Sequence, residues 1–483
     1  MRNKAQRTKH RERSPRSVTG CFIALMAAVL LGVGCSGTAH LDSAHAGRTF
    51  AYEPGLPNFD MEAHATVREG QAGIDLYLGI PHVSLVFLPH DDGYEARFET
   101  IVRLMDRKGK ELLAEYADVD TARVPTYEAT KEFAPFLKEK RLDVAPGDYL
   151  LDVVLIDLES KQQARRRQRV EVVAVGAARA VLSRVRVEGK HKGTAFAPIL
   201  SLHVPTGLDS LRAAVEFYNV HHLDQAQVSM RLLRFPSDTA AAQPPYLFTV
   251  TRAFGRVRYS RADTLQVSQY RLGALDQKLL IEFNLPTLAE GVYRVDVQVT
   301  KAHPAADEEP LLHQQRDFAV RSADFPHITS LDEMVSALVY IARKSELEHI
   351  QAADTRQEKK RRYDAFWATL VPDRTRAANL LKLYYSRVEE ANLLYTSYKE
   401  GWKTDRGMIS IVFGSPIFID NQLDHEVWRY SYDDRGGLDL FVFNRRRLYA
   451  SEGMFETFLL ERESFYESAW RRALQRWRRG EVL

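Results

Sequence analysis

GDYLLDVVL, at residues 147–155, returns as GVYRVDVQV at residues 291–299. Both copies fit the pattern Gly-x-Tyr-x-x-Asp-Val-x followed by Leu or Val, and they align without gaps. A glycine turn followed by alternating apolar residues predicts a strand that buries every second side chain. In a two-sheet sandwich, a tyrosine just past the turn can cover the core while its hydroxyl reaches the backbone. The repeat therefore indicates two related β modules, and it is a signal about folding rather than about function.

Short alternating segments, separated by Gly, Pro and Asp turns, surround both copies. The clearest of these segments cover residues 73–79, 96–104, 181–187, 213–218 and 228–233. We therefore predict two all-β modules, each an Ig-like antiparallel sandwich, at residues 49–175 and 176–323.

Three polar clusters in these modules have the composition of sites but the spacing of turns or strands. His90-Asp-Asp-Gly93 lacks the remaining ligands of a calcium loop, so we expect a turn. The adjacent pair His221-His222 would point to opposite faces of a strand, which disfavours a shared metal ion. The arginines at 165, 166, 167 and 169 precede the last strand of the first module. We expect a solvated hairpin tip there, with contact to anionic lipid or glycan as the alternative.

After Ala323 the apolar residues change to a helical period. Ser330 with Glu333, and Thr355 with Glu358, have the spacing of capping boxes at helix N-termini. The predicted elements are helices from about 330, over 355–370 and over 375–399, strands at 408–413, 426–432, 438–443 and 447–450, and a last helix at 462–479. Residues 324–483 are thus expected to form an α+β domain with a small antiparallel meander.

The signature of a known family lies in this domain. The stretch Gly401-Trp-Lys-Thr-Asp-Arg-Gly407, followed by the apolar run 408–413 and by Gly414-Ser-Pro416, resembles the signature of the GWxTD-domain family of bacterial proteins and lipoproteins. Ala391-Asn392 upstream and Glu426-Val-Trp-Arg-Tyr430 downstream resemble further parts of the family pattern. The resemblance covers about the last third of the chain. It brings no catalytic residue with it, because the family is largely uncharacterised.

We interpret the signature as a structural joint, with a partner-binding surface formed by Asp405 and Arg406 as the alternative. Gly401 would close the long helix in a left-handed cap, Trp402 would fill the space between helix and sheet, and residues 405–407 would turn into a strand. The candidate residues are Gly401, Trp402, Thr404, Asp405, Arg406, Gly407, Gly414, Pro416, Trp428 and Tyr430.

The N-terminus has the order of a secretory signal peptide. A basic leader over residues 1–16 precedes an apolar run at 21–33, which is shorter than the about 20 residues that span a bilayer. The segment Leu31-Gly-Val-Gly-Cys35-Ser36 resembles a bacterial lipobox, although Gly stands where Leu is usual. We therefore predict a signal peptide at 1–35 with a lipid on Cys35, simple cleavage and release being the alternative. A Ser- and Gly-rich tether follows at 36–48.

Composition excludes some classes of function. Lys and Arg number 67 against 64 Asp and Glu, so the net charge of +3 gives no electrostatic signature for nucleic acid. The only other cysteine, Cys21, lies in the predicted signal, so no disulfide is expected. Metalloprotease, nucleophile-elbow, P-loop and dinucleotide motifs are absent from the mature chain that would follow the predicted signal peptide, and no cofactor or metal is predicted.

The predicted last helix carries aromatic residues on one face, among them Tyr466, Trp470 and Trp477, within a ring of arginines. We expect this helix either to dock on its own domain or to lie on an anionic membrane. For the whole chain we expect a non-enzymatic, exported envelope lipoprotein that acts as a scaffold or interaction module through its C-terminal domain. The alternative is an envelope enzyme, or a glycan-processing or assembly accessory, with a cryptic site between the second module and the C-terminal domain.

Overall fold

The computed structural model describes residues 57, 59–131, 135–174, 180–205, 207–219, 223, 225–248, 257–273, 278–303, 308–421, 425–430, 440–447 and 455–482. All of them belong to one unit, Arg48–Leu483. The predicted signal peptide, Cys35, the tether and the pair His221-His222 lie outside the described residues. Within those residues, no helix combines the length and the apolar composition that crossing a bilayer requires.

The first module consists of antiparallel strands in two facing sheets. Its strands are β1 (Asp60–Arg68), β2 (Gln71–Pro81), β3 (Leu88–His90), β4 (Gly93–Asp106), β5 (Leu112–Val124), β6 (Pro135–Asp143), β7 (Gly147–Asp157) and β8 (Gln163–Val172). One sheet has the order β1-β2-β6 and the other the order β3-β4-β7-β8, with β5 paired to β4. Leu76, Phe98 and Val153 are fully buried in the single core that the two sheets share.

Side chains close the two edges of this sandwich. The amide group of Gln168 on β8 bonds the backbone N–H and C=O of Ala63 on β1, at 3.2 and 2.9 Å. At the other edge, Lys138 on β6 reaches Asp120 on β5 at 2.5 Å. Charged groups that point into an edge oppose the addition of foreign strands.

The second module repeats the architecture. Its strands are β9 (Val181–Leu182), β10 (Arg186–Lys190), β11 (Ala197–Pro198), β12 (His203–Pro205), β13 (Ser210–Tyr218), β14 (Gln227–Phe235), β15 (Asp263–Arg271), β16 (Lys278–Leu285), β17 (Gly291–Thr300) and β18 (Leu312–Arg321). The sheets have the orders β11-β10-β13-β16, with β9 on β13, and β12-β18-β17-β14-β15. Their shared core includes Phe217, Met230 and Val297. The predicted sandwich-like, mostly β character of the N-terminal part is confirmed.

The repeated sequence pattern starts β7 and β17 in equivalent ways. Tyr149 donates its hydroxyl to the carbonyl of Ala145, and Tyr293 to the carbonyl of Ala289, each at 2.7 Å. Tyr293 is 1% exposed and stacks on Phe318 in the core. The predicted tyrosine geometry is confirmed, so the sequence repeat is also a structural repeat.

The aspartate of each copy is buried and neutralised by basic residues on neighbouring strands. Asp152 accepts hydrogen bonds from Arg165 at 2.6 and 2.5 Å. Asp296 accepts one from Arg231 at 2.6 Å and lies 2.6 Å from Nε2 of His313. Burial alone would raise the pKa of Asp296, but hydrogen bonds from His313 and Arg231 outweigh it and hold the pKa below its ordinary value.

The arginines at 165–169 lie inside strand β8, so the predicted hairpin tip is wrong. Arg165 and Arg167 both pair with Asp152 on β7. Their charge therefore has a partner within the sheet, which is why a strand tolerates it. The segment predicted at 181–187 is also corrected, since it is divided between β9 and β10.

The C-terminal region is α+β, as predicted. Its helices are α1 (Leu331–Ala337), α2 (Lys344–Gln351), α3 (Arg356–Leu370), α4 (Arg374–Tyr395), α5 (Asp405–Phe413) and α6 (Tyr466–Arg478), and its strands are β19 (Phe418–Asn421), β20 (His425–Arg429), β21 (Leu440–Arg447) and β22 (Glu456–Leu460). The strands pair in the order β19-β20-β21-β22. Ser330 and Thr355 cap α1 and α3 by accepting the backbone N–H groups of Glu333 and Glu358, which confirms the two predicted helix starts.

Helix α6 places its aromatic face on the core of its own domain. Trp470 and Trp477 are 2% and 0% exposed. The indole N–H of Trp477 donates to the carbonyl of Val412 at 2.9 Å, and its ring meets Tyr384 edge to face. The tryptophans therefore belong to the core, which is the first of the two alternatives for this helix.

Candidate functional site: the GWxTD segment

Close backbone contacts fix the two glycines of the signature. A Cβ atom at Gly401 would lie 1.7 Å from the carbonyl oxygen of Ala391 on α4, and one at Gly407 would lie 1.9 Å from the carbonyl oxygen of Gly401. Helix α4 ends at Tyr395, and Gly401 begins a separate 3₁₀ turn without a positive φ. The predicted left-handed cap is therefore wrong, and close approach is the reason for glycine here.

Trp402 attaches the signature to the helical half of the domain. Its backbone N–H donates to the side chain of Asn392 at 3.2 Å, and its carbonyl accepts the hydroxyl of Tyr340 at 2.7 Å. Its indole ring packs edge to face against Tyr340, and the residue is 5% exposed. The predicted burial of Trp402 is confirmed.

The segment after the signature is helix α5, and the strand predicted at 408–413 is wrong. Thr404 is the N-cap, since its hydroxyl accepts the N–H of Gly407 at 3.1 Å. Asp405 occupies the first helical position, where a negative charge suits the helix dipole. Residues 405–407 thus form the first turn of a helix. Residues 407–412 are all buried, so no amphipathic period marked the helix, and the β-branched residues favoured a strand.

Asp405 links α5 to the meander. Its carboxylate accepts the backbone N–H of Leu460 at 2.9 Å. The guanidinium of Arg462 binds both carboxylate oxygens, at 2.6 and 3.2 Å. The two side chains are 6% and 8% exposed. A buried bidentate pair of this kind is rigid, and removing one partner would leave an uncompensated charge.

Arg406 joins two motifs that are separate in sequence. Its guanidinium lies 3.3 Å from both carboxylate oxygens of Glu426 and 3.8 Å above the ring of Phe458. Glu426 also accepts the indole N–H of Trp428 at 3.2 Å. Trp428 is fully buried. Arg406, Glu426 and Trp428 therefore form one cluster between α5 and strand β20.

The Gly414-Ser-Pro416 stretch ends helix α5 rather than a strand. Gly414 has a φ of +84°, and its N–H bonds the carbonyl of Ser410 at 2.8 Å. The hydroxyl of Tyr430 donates to the carbonyl of Gly414 at 2.8 Å, and Pro416 is buried just before β19. The structure thus brings the candidate residues of this domain together at the joint of α4, α5 and the meander.

A segment of the second module lies on this joint. We call residues 236–248, which follow β14, the strap. Four hydrogen bonds connect its backbone to the C-terminal domain: Lys399 Nζ to Ala240 O at 2.8 Å, Ala242 N to Tyr340 Oη at 3.2 Å, Arg462 Nη2 to Gln243 O at 3.2 Å, and Glu463 N to Pro245 O at 3.2 Å. Sequence analysis missed the strap, because its small residues and prolines have no hydrophobic period.

Apolar packing adds to these bonds. Ala241, Ala242 and Tyr246 of the strap pack against the core of the C-terminal domain. A smaller cluster combines Phe235 and Val292 of the second module with Tyr398 and Phe455. Burial lowers the pKa of Lys399, and the nearby Asp238 acts in the opposite direction. The two parts of the chain are therefore joined by both polar and apolar contacts.

A buried acid, Asp317, lies at the same boundary between the second module and the C-terminal domain, which is the place of the alternative cryptic site. Asp317 is fully buried, accepts a hydrogen bond from Arg294 at 2.6 Å and accepts the hydroxyl of Tyr259 at 2.5 Å. Burial raises the pKa of Asp317, although Arg294 opposes the shift. No part of the residue is accessible, so a substrate cannot reach this carboxylate in the described conformation.

A separate cavity of about 510 Å³ lies between the two sandwiches. Its lining includes His64, Tyr149, Ser183 and His313. Nδ1 of His64 is buried without a hydrogen-bond partner. Cavities of this size accommodate small molecules. None of the described residues of the GWxTD signature lines this cavity.

The fold and the joint define the C-terminal region as an α+β domain in which the signature segment connects the helices to the meander. Residues 305–479 match the family model described as GWxTD domain. The match confirms the resemblance to the GWxTD-domain family that the sequence predicted for this part of the chain. The match begins before β18, a strand of the second module.

Comparison with curated protein sequences gives no match. Solved structures with some similarity include red sea bream transglutaminase, at 11% identity and a TM-score of 0.18 over 56% of this chain and 32% of that one. Salmonella alpha-2-macroglobulin reacted with methylamine has 12% identity and a TM-score of 0.18, over 58% and 17%. The chain thus spans a third or less of the length of these proteins. At such TM-scores, the likenesses bear on neither fold nor function.

Proposed function

We propose that the protein is a non-enzymatic, exported scaffold of the bacterial cell envelope, anchored by a lipid on Cys35, whose GWxTD domain engages a protein partner. The basic leader, the apolar run and the lipobox-like segment at 31–36 support export and anchoring. The observation that supports an interaction role is the binding of the strap. The GWxTD domain holds a polypeptide segment that lies outside the matched residues 305–479, and it does so at four points.

The contacts of the signature favour positioning over chemistry. A general acid or base must come within hydrogen-bond reach of a substrate. The carboxylate of Asp405 instead binds Arg462 and a backbone N–H, and its side chain is 6% exposed. Arg406 is held by Glu426 and by the ring of Phe458. These residues are suited to holding a surface in a fixed shape.

The anchor is tested by replacing Cys35. We expect the wild-type protein to sediment with membranes and to incorporate a clickable fatty acid in growing cells, whereas Cys35→Ala incorporates none. Cys21→Ala is the matched control, since this residue lies in the predicted signal and should leave labelling unchanged. Equal labelling of the wild type and the Cys35 variant would refute lipidation at this position.

The partner is tested by site-specific photocrosslinking in intact cells. A photoreactive amino acid at Phe248, which is 60% exposed at the end of the strap, is compared with one at Leu113, which is 47% exposed in the first module. We expect mass spectrometry to identify an abundant envelope protein from the Phe248 position and not from Leu113. No protein adduct from Phe248 would refute an interaction through this region.

A second function rests on the cavity between the sandwiches, which would suit an enzyme or a glycan-processing accessory. Its lining combines apolar side chains with His64, Ser183 and His313, which suits a small ligand that has both polar and apolar groups. Protein-observed NMR or calorimetry with envelope oligosaccharides distinguishes the two. Binding that His64→Phe abolishes, together with no crosslinked partner, would favour the second function.

A further inference from the structure

The connection between β14 and β15 is far longer than the two strands need. They pair antiparallel from Gln227 with Arg271 to Arg234 with Asp263, and such hairpins usually close within about 2–5 residues. The loop is already closed at its base, because Ser237 pairs with Val257 and the N–H of Arg258 bonds the carbonyl of Pro236 at 2.9 Å. What lies beyond the base is therefore not required to join the strands, and long loops of this kind usually serve a function.

The GWxTD domain binds the strap mainly by hydrogen bonds to the strap's backbone. The groups at the four contact points bond backbone carbonyls or an N–H of residues 240–245. The strap side chains that meet the core are Ala241 and Ala242, beside these bonds, and Tyr246 after them. Gln243 and Pro244 each precede a proline, which restricts them to extended conformations. Recognition of an extended, proline-containing segment through its backbone tolerates changes of sequence as long as the side chains stay small.

The signature builds the surface that makes these contacts. The hydroxyl of Tyr340, which accepts from Ala242, is oriented by its own bond to the carbonyl of Trp402. Arg462, which donates to Gln243, is held by both oxygens of Asp405. Lys399 lies two residues before Gly401. We call the surface formed by Tyr340, Lys399, Arg462 and Glu463 the groove.

The groove contains cations that need acceptors. The side chains of Lys399 and Arg462 are 10% and 8% exposed. A buried ammonium or guanidinium is stable only when hydrogen-bond acceptors replace water. Arg462 is paired with Asp405, and Lys399 lies 3.5 Å from the carboxylate of Asp238 in the strap. The strap adds a backbone carbonyl oxygen to each cation, and another extended backbone could supply those two oxygens.

We propose that the groove is a binding site for an extended segment of small residues and proline in a partner protein, and that the strap is its internal occupant, which the partner segment replaces. This inference rests on the proposed interaction function and names the chemistry of the partner. A tethered strap competes at an effective concentration in the millimolar range, so it keeps the groove closed to weak or unrelated peptides.

The test uses the whole chain with Cys35→Ser, which prevents attachment of a lipid there, and a fluorescein-labelled peptide with the sequence of residues 236–248. In the variant Ala242→Asp with Pro245→Gly, the strap no longer fits, and we expect the peptide to bind at least about tenfold more tightly than to the unaltered strap, by fluorescence anisotropy. A peptide carrying Ala242→Asp is the matched control and should not bind. Adding Lys399→Met to the variant should weaken binding about tenfold or more, because a charged hydrogen bond is lost.

A folded strap variant that binds no peptide would overturn the inference; folding is checked by unchanged tryptophan fluorescence. If the variant does not fold, the unaltered strap provides the second measurement. A peptide with a photoreactive group in place of Ala242 is then used at about 1 mM, a concentration that competes with a tethered segment. Labelling near Tyr340 or Arg462 supports exchange, and labelling elsewhere or none refutes it. If peptide binding fails while crosslinking from Phe248 still yields a partner, the groove is wrong and the proposed function stands.

Discussion

Replacing Gly401 by alanine should destabilise the C-terminal domain selectively. The added methyl group would lie 1.7 Å from the carbonyl oxygen of Ala391, which is backbone of the longest helix and cannot turn away. Overpacking a tight core usually costs about 1–3 kcal/mol, and an obstacle made of backbone places this case near about 3 kcal/mol or above. For a domain of this size, each kcal/mol lowers Tm by about 2–4 °C, so we expect a decrease of about 6–12 °C.

Tryptophan fluorescence is the suitable assay, since all five tryptophans lie in the C-terminal region. The control is Gly79→Ala in β2, where the new methyl group would meet side-chain atoms and no backbone: Leu200 at 3.3 Å, Pro135 at 3.7 Å and Leu137 at 3.8 Å. That variant should leave the tryptophan-detected transition within about 2 °C of wild type, which corresponds to the about 0.5 kcal/mol typical of tolerated substitutions. A Gly401→Ala transition equally close to wild type would show that α4 and the signature do not pack as described.

Three further variants test other parts of the structure. Tyr293→Phe loses the bond to Ala289 and should lower the free energy of unfolding by about 1 kcal/mol in urea; no change would mean that the repeat tyrosine is held by packing alone. Thr404→Ala removes the cap of α5 and should cost about 1 kcal/mol by tryptophan-detected unfolding, whereas Thr404→Ser should restore most of it. Because the folded-state pKa of Asp296 is lowered, its stabilisation is present above the ordinary pKa near about 4 and is lost as pH falls through the folded value. Asp296→Asn should therefore flatten the acid side of the stability curve below the ordinary pKa of aspartate, and a curve as steep as wild type would contradict this assignment.

Sequence patterns predicted those elements that are marked by short-range signals, such as turn residues, helix caps and alternating apolar residues. The repeat identified β7 and β17, because turn glycine, tyrosine and alternating apolar residues all serve one sheet. Ser330 and Thr355 identified two helix starts, because a capping hydroxyl acts within one turn. Helix α5 was missed for the opposite reason. It is surrounded by core on nearly all sides, so its sequence carries no period, and only tertiary contacts distinguish it from a buried strand.

The candidate residues could be predicted from sequence, but their arrangement could not. Asp405 and Arg462 are far apart in the chain, and nothing in the spacing of either suggests that they form a bidentate pair. Arg406, Glu426 and Trp428 were recognised as parts of two motifs, and the structure shows that they are one cluster. The strap could not be predicted from sequence patterns, because its hydrogen bonds are made by backbone groups, which every residue type has.

The strap has a consequence for how the chain folds during synthesis. The contact between Ala240 and Lys399 spans 159 residues, and the one between Gln243 and Arg462 spans 219. Contacts so distant in sequence form late, and domains generally fold in the order in which they are made. The second sandwich can be complete while the strap still has nothing to bind, and the joint closes only after the meander has been synthesised. During that interval, the strap and the unfinished C-terminal domain are the part of the chain that a chaperone would need to protect.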